Sequence, residues 1–257
     1  MTAPSGTTRA HSFNAAAAQY AANRPSYPPA LFDAIEELAG RPLAGARVAD
    51  VGAGTGIATA LLHGRGAEVV AVEPGDGMAA EFRRTLPDVP IVRGDGNSLP
   101  LADASVDFVT YAQAWHWTEP ARAVPEARRV LRPGGALALW WNMDPADVPW
   151  ITEQADRIRA HFRGEHNNKQ GASELRSALA FKGVPDVPAH SHRIVRWSRE
   201  VPVDTHLANV GSHSIFLVQD EERTDAFLAE ERERLLQTFP DGTVEEVYDV
   251  LVIVATP

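Results

Sequence analysis

No cysteine occurs among the 257 residues, which excludes disulfides, thiolate nucleophiles and cysteine-bound zinc. No uninterrupted run of 18 apolar residues is present to span a bilayer. The N-terminus also lacks a charged-then-apolar leader, so the expectation is a cytoplasmic protein with no membrane partner. Positive charge is scarce: 24 Lys and Arg against 34 Asp and Glu leave a net charge of −10. A phosphate backbone is held by clustered cations. The nearest such group, Arg128-Arg129 with Arg132, reads as the polar face of a helix, so nucleic acid is not an expected partner. Internal repeats and long low-complexity linkers are absent too.

What is there suits an ordinary globular chain, with 44% hydrophobic and 23% charged residues. The length fits one large α/β domain with an appended cap. Residues 13–40 read as a helical lead-in, rich in alanine but broken by Pro25, Pro28 and Pro29. Strands are expected at Arg47–Val51, Glu68–Glu73, Val89–Arg93, Val106–Tyr111 and Ala136–Trp141, with helices at Ile57–His63, Met78–Leu86 and Ala121–Leu131 between them. This alternation predicts βαβ units and a parallel sheet, with the ligand crevice at the C-terminal ends of its strands. Further on, one or two helices and a polar loop (Gly164 to Gly171) occupy 144–185. Strands are expected at His190–Trp197 and Val247–Val254, with helices from Val203 to Phe239 inserted between them.

The motif Asp50-Val51-Gly52-Ala53-Gly54-Thr55-Gly56 joins the first strand to the first helix. Glycine lets the backbone turn and a ligand approach closely, and the N–H groups opening a helix attract anions. The dinucleotide fingerprint needs its third glycine at 57, where this chain has Ile57. Asp50 would repel phosphates and suits a ligand with an ammonium group. Glu73 ends the second strand, where a carboxylate can accept both hydroxyls of a ribose. Asp95, within Gly94-Asp95-Gly96, ends the third and can accept from an adenine amino group. Singly, these are a strand-end acid and an Asp-Gly turn. Together they form a constellation.

These segments, with Leu99-Pro100 and Leu131-Arg132-Pro133-Gly134-Gly135, resemble the class I S-adenosylmethionine-dependent methyltransferases over roughly residues 46–141. Tyr20 with Arg24-Pro25-Ser26-Tyr27-Pro28, and Ala112-Gln113-Ala114-Trp115-His116-Trp117, resemble the small-molecule branch that includes the trans-aconitate methyltransferases. The resemblance implies a doubly wound, mostly parallel, seven-stranded Rossmann-like sheet. It has a helical N-terminal lead-in or lid (1–45), a cofactor-binding core (46–143) and a C-terminal part (144–257) whose helical cap, at about 200–240, precedes the last strand. It implies S-adenosylmethionine as cofactor and S-adenosylhomocysteine as product. Gly52, Gly54 and Asp50 would lie at the methionine moiety, Glu73 at the ribose, Asp95 and Gly96 at the adenine, and Gln113 and Ala114 at the sulfonium. Tyr20 and Arg24 would fold over the cofactor. The Asn-Pro-Pro-aromatic motif of the amino-group-methylating branch is absent.

Methyl transfer from a sulfonium needs chiefly in-line alignment; a base is required only for acceptors that must lose a proton. His116 is the candidate base, the alternative being a histidine packed between two tryptophans. Trp115 and Trp117 are candidates to line the acceptor pocket or to fill the helix–sheet seam. His206 and His213, seven apart, share a helical face; His213 is the candidate substrate contact, with a solvated face as the alternative. No metal site is expected, because His161 and His166 are misplaced for one helical face and lack a third ligand. The expected partner is a small molecule, with oligomeric state open. The competing readings are a nicotinamide-dependent oxidoreductase, and a cofactor-binding protein or cyclase that does not methylate.

Overall fold

The computed structural model describes residues 23–162, 180–213, 215–216 and 220–256. Tyr20, His166, Gly164 to Gly171 and the first part of the expected lead-in, up to residue 22, lie outside the described residues. Seven strands form one sheet: β1 (Arg47–Val51), β2 (Glu68–Glu73), β3 (Ile91–Arg93), β4 (Val106–Ala112), β5 (Leu131–Met143), β6 (Ala189–Pro202) and β7 (Thr243–Thr256), in the order β3-β2-β1-β4-β5-β7-β6. Adjacent pairs from β3 to β5 are parallel; β7 runs antiparallel to both β5 and β6. The described helices are α1 (Pro29–Ala39), α2 (Ile57–Gly64), α3 (Asp76–Thr85), α4 (Pro120–Val130), α5 (Pro149–Phe162), α6 (Val203–Gly211) and α7 (Glu221–Thr238).

Short apolar runs such as Val48-Ala49 and Phe108-Val109 are buried on both faces, as a sheet covered by helices on each side requires. Along β5 the pleat sends Ala136, Ala138 and Trp140 to one face and Leu137, Leu139 and Trp141 to the other. The first face packs against Leu31, Phe32 and Ile35 of α1, Ala58 and Leu62 of α2, and Phe82 of α3. Trp140, fully buried, takes the ring edges of Tyr27 at 5.8 Å and Phe32 at 6.2 Å, a preferred aromatic geometry. The second face packs against α4 and Phe181.

Three expectations need correction. The fifth strand begins at Leu131 rather than Ala136, with a register shift between Val106 and Phe108 of β4 that absorbs Pro133-Gly134-Gly135. Arg132 is therefore a strand residue; with Arg41 it brackets Asp107, at 3.3 and 2.9 Å. Finally, β6 and β7 are each 14 residues long, well beyond 190–197 and 247–254.

Their extra length creates the main departure from a plain doubly wound sheet. Pairing of β5 with β7 stops at Met143–Asp249, whereas β7 continues against β6 to Thr243–Pro202. Six residues of β7 thus pass the end of β5, a two-stranded ribbon reaching about 20 Å further at ~3.3 Å per residue. It projects from the edge at which β1, β2 and β4 deliver their C-terminal loops, and α6 and α7 follow its tip in sequence.

Candidate functional site

At the end of β1, Asp50 is fully buried, and its carboxylate accepts from Thr59 Oγ1 at 2.6 Å and Thr110 Oγ1 at 2.9 Å. Burial, with the Glu73 charge adding to it, raises its pKa to about 6 despite the two hydroxyl donors. Asp50 therefore anchors the glycine loop from beneath. The expectation of a carboxylate facing a ligand's amino group is corrected, because its oxygens are committed to threonine hydroxyls inside the sheet. Sequence reading missed Thr59 and Thr110; a threonine one helical turn into α2 and another on β4 carried no pattern of their own.

The loop above is laced to β2. Gly52 and Ala53 donate to the Val72 carbonyl at 2.8 and 3.2 Å, and Gly54 donates to Glu73 Oε2 at 2.9 Å. The other oxygen of Glu73 accepts from the Gly75 amide at 2.7 Å. Glu73 thus clamps the loops following β1 and β2. Gly52 sits at φ 67°, and a Cβ there would stand 2.5 Å from that of Ala114. Gly54, at φ 58°, would meet nothing within 4 Å. One glycine seats the β1 loop on the β4 loop; the next leaves its outer side open.

Beyond β3, Asp95 is exposed and accepts from the Asn97 amide at 2.7 Å, while Asn97 Oδ1 accepts from the Glu119 amide at 2.8 Å ahead of α4. Gly96 lies tight against Tyr111, whose hydroxyl donates to its carbonyl. Gln113 closes β4 at φ 56°, left-handed backbone that a non-glycine residue rarely adopts, with its amide on the Trp140 carbonyl at 2.9 Å. The loops carrying Gly52, Gly54, Glu73, Asp95, Gly96, Gln113 and Ala114 all leave the same sheet edge.

The next turn divides the aromatic candidates. Trp115, Trp117 and His116 form one 3₁₀ turn. Trp115 is buried, 4.8 Å from the Tyr111 ring, and its Nε1 donates to the Ala180 carbonyl at 2.7 Å. It fills the seam and does not line a pocket: a correction, made because its polar atom is satisfied inside the core. His116 is exposed and lies 4.7 Å from the half-buried Trp117 ring, not between two tryptophans.

The expectations for His206 and His213 are also corrected. Helix α6 ends at Gly211, so His213 lies past it, and His206 is buried rather than solvated. His206 contacts Glu246 Oε1 through Nδ1 at 2.7 Å and Gln154 Oε1 through Nε2 at 3.0 Å. Burial opposes ionisation of Glu246, but the His206 hydrogen bond and the Arg199 guanidinium overcome it and hold the carboxyl at about 2. Close packing and the neighbouring Arg24 charge lower the His213 imidazole to about 3, although part of its surface stays exposed. Arg24 itself donates to the Ser212 carbonyl at 3.3 Å. It lies against the C-terminal end of α6.

Residues 49–139 match the methyltransferase domain family. An uncharacterised methyltransferase of Mycobacterium tuberculosis is 48% identical over 147 residues, 57% of this chain and 58% of that protein. The chain thus aligns with less than two thirds of that relative's length. An uncharacterised methyltransferase-like protein of Schizosaccharomyces pombe is 32% identical over 188 residues, covering 72% of this chain and 68% of its own. Among solved structures, a protein of Anaeromyxobacter dehalogenans provisionally named a type II methyltransferase superposes with a TM-score of 0.69. The superposition covers 90% of this chain and 97% of that one at 24% identity, a likeness of fold.

Proposed function

The chain belongs to the class I S-adenosylmethionine-dependent methyltransferases, and from that premise we propose that it transfers a methyl group from S-adenosylmethionine to a small organic acceptor. The observation that carries this reading is Glu73, a nearly buried carboxylate accepting from the Gly54 and Gly75 amides. It fixes the glycine loop at the end of β2, where a carboxylate can also accept from a ribose diol. The donor set fits the cofactor: Asp50 and Glu73 make the loop electronegative, which suits a cationic ligand and not a pyrophosphate, and the outer side of Gly54 is open to a close approach.

When bound, the cofactor supplies an activated methyl group on a sulfonium, and transfer leaves the neutral thioether of S-adenosylhomocysteine. In this reading Glu73 accepts from the ribose hydroxyls, and Asp95 with the Gly96 loop takes the adenine edge. Gly52, Gly54, Gln113 and Ala114 border the methionine and sulfonium end. Arg24, and Tyr20 ahead of it, cover the ligand from the lead-in. Residues 1–45 serve as a lid, 46–143 hold the cofactor, and 144–257 complete the sheet and carry the cap of about 200–240 with the acceptor.

Two approaches lead to the sulfonium end. One crosses the 3₁₀ turn, where His116 would take the acceptor's proton beside Trp117; the other crosses the end of β5 under the ribbon, towards His213. His116→Gln separates them, since a base role requires turnover to fall at least tenfold below pH 7 and above it. The nicotinamide reading has no comparable support, given Ile57 in place of the third glycine.

Isothermal titration with S-adenosylmethionine tests the proposal. Binding in the micromolar range is expected, weakened at least 30-fold by Glu73→Ala. No binding, or equal binding by the variant, overturns it.

A further inference from the structure

On the first sheet face, beyond the sulfonium end, buried polar atoms gather without hydrogen-bond partners among the described residues. They are both ends of the Asn142 amide, Nε1 of Trp197, Oδ1 of Asn209 and, one step deeper, Nε1 of Trp140. Pleat and register bring them together. Asn142 stands two residues past Trp140 on β5, opposite Val250 of β7, which pairs in turn with Val195 of β6. Two residues further out, Tyr248 pairs with Trp197, their rings stacked at 5.4 Å and 28°. Period-two alternation puts all these side chains on one face; Asn142 and Tyr248 are diagonal neighbours on adjacent strands, ~7–8 Å apart, and Trp197 lies one strand further across. Asn209 of α6 is 3% exposed and closes the outer side, donating to the Tyr248 hydroxyl at 3.1 Å and to Glu246 at 3.3 Å.

An unpaired buried amide carries its full desolvation cost in the free protein. Five such atoms share this one face on the side of the Gln113 turn, while those of Thr55, His161 and Thr224 lie singly elsewhere among the described residues. The set contains donors (Asn142 Nδ2, Trp197 Nε1, Trp140 Nε1) and acceptors (the Oδ1 atoms of Asn142 and Asn209). A carboxylate offers only acceptors, so it would leave both amide oxygens unsatisfied and facing its own lone pairs. A hydroxyl or carboxamide donates and accepts.

We infer that the methyl acceptor is seated on this face by Asn142, Trp197 and Asn209, and that it is a small neutral molecule presenting a hydroxyl or amide edge instead of a carboxylate. The inference rests on the methyltransferase reading. It selects the approach under the ribbon over that across His116, and it separates this chain from enzymes whose acceptor is an organic acid.

The test uses the full chain saturated with S-adenosylhomocysteine, whose binding is first verified by calorimetry. Phenol and benzamide are compared with benzoate and trans-aconitate by ligand-observed NMR titration. The neutral probes are expected to bind at least tenfold tighter than the two carboxylates. Asn142→Leu should weaken them roughly tenfold and Trp197→Phe should weaken them measurably, with S-adenosylhomocysteine affinity kept within twofold. Asn142→Leu should also raise Tm of the ligand-free protein by about 2–4 °C, because it removes an unpaired buried amide; a merely structural asparagine would lower it. Carboxylates binding as well as the neutral probes, neutral binding unchanged in both variants, or no probe binding at all would each overturn the inference. Failure of S-adenosylhomocysteine itself to bind would instead remove the reading on which it rests.

Discussion

Asp50 shows how a single side chain sets a pH dependence. Its carboxyl is neutralised more readily folded than unfolded, so between about pH 4 and 6 the native state binds the extra proton. Its contribution to stability is therefore full below its unfolded pKa near 3.8 and is lost as pH rises to about 6. The shift corresponds to about 3 kcal/mol at neutral pH. In urea titrations, Asp50→Asn should be about as stable as the wild type at pH 4 and should gain on it up to pH 6, then keep a constant margin. A margin independent of pH would show that Asp50 ionises normally. The two loop glycines provide a second residue-level comparison. Gly52→Ala adds a methyl 2.5 Å from Ala114 Cβ at positive φ and should cost about 2–3 kcal/mol. Gly54→Ala meets nothing and should cost about 1–2 kcal/mol from its backbone conformation alone. Equal losses in thermal unfolding would contradict the close seating of the β1 loop on the β4 loop.

Among the elements, α5, α6 and α7 are tied to the ribbon by a buried polar chain. Glu246 holds His206, His206 meets Gln154, and Gln154 donates to Glu231 at 3.2 Å. Glu231, on α7 and fully buried, also accepts from Arg157 of α5 at 2.9 Å and from Arg234 at 2.9 Å. Glu231→Ala strands these donors and should cost about 3 kcal/mol. Hydrogen exchange should locate the loss in α5 and α7, leaving amides of β1 and β4 protected as before; uniform acceleration would place Glu231 in the global core instead. This region was the least legible in the sequence. The apolar runs of β1, β2 and β4 announce strands buried on both faces, and all three were read correctly to within a residue. The outer halves of β6 and β7 are half-solvated, with residues such as Arg199, Glu200, Glu245 and Glu246 that no apolar period reveals. What stabilises them is cross-strand pairing and the chain of polar contacts to three helices, and those partners lie 37 to 52 residues away from His206 or Asn209.

For the whole molecule, the proposed cofactor and acceptor sites differ in how far local sequence specifies them. Asp50, Gly52, Glu73 and Asp95 stand at the ends of consecutive strands, so spacing alone finds them, though not that Asp50 faces inward. Asn142, Trp197 and Asn209 converge only through register across three strands and a helix. A ligand that binds the proposed cofactor site at 100 times its Kd should stabilise the native state by about 2.7 kcal/mol. That corresponds to an increase in Tm of about 5–11 °C. S-Adenosylhomocysteine should produce that rise in scanning calorimetry, and Glu73→Ala should abolish most of it.

The ribbon also sets, in discrete steps, how far α6 stands from the end of β5. Each row of β6–β7 pairs lifts α6 by one residue's rise, but removing a single pair would turn Trp197, Tyr248 and Glu246 to the opposite face. Only deletions of two residues from each strand preserve which side chains look inward, and each such deletion would lower the ceiling by about 7 Å. In the proposed seating, acceptor size would change in the same steps: a ribbon shorter by two rows would admit a molecule smaller by about one ring, with the loops after β1, β2 and β4 untouched.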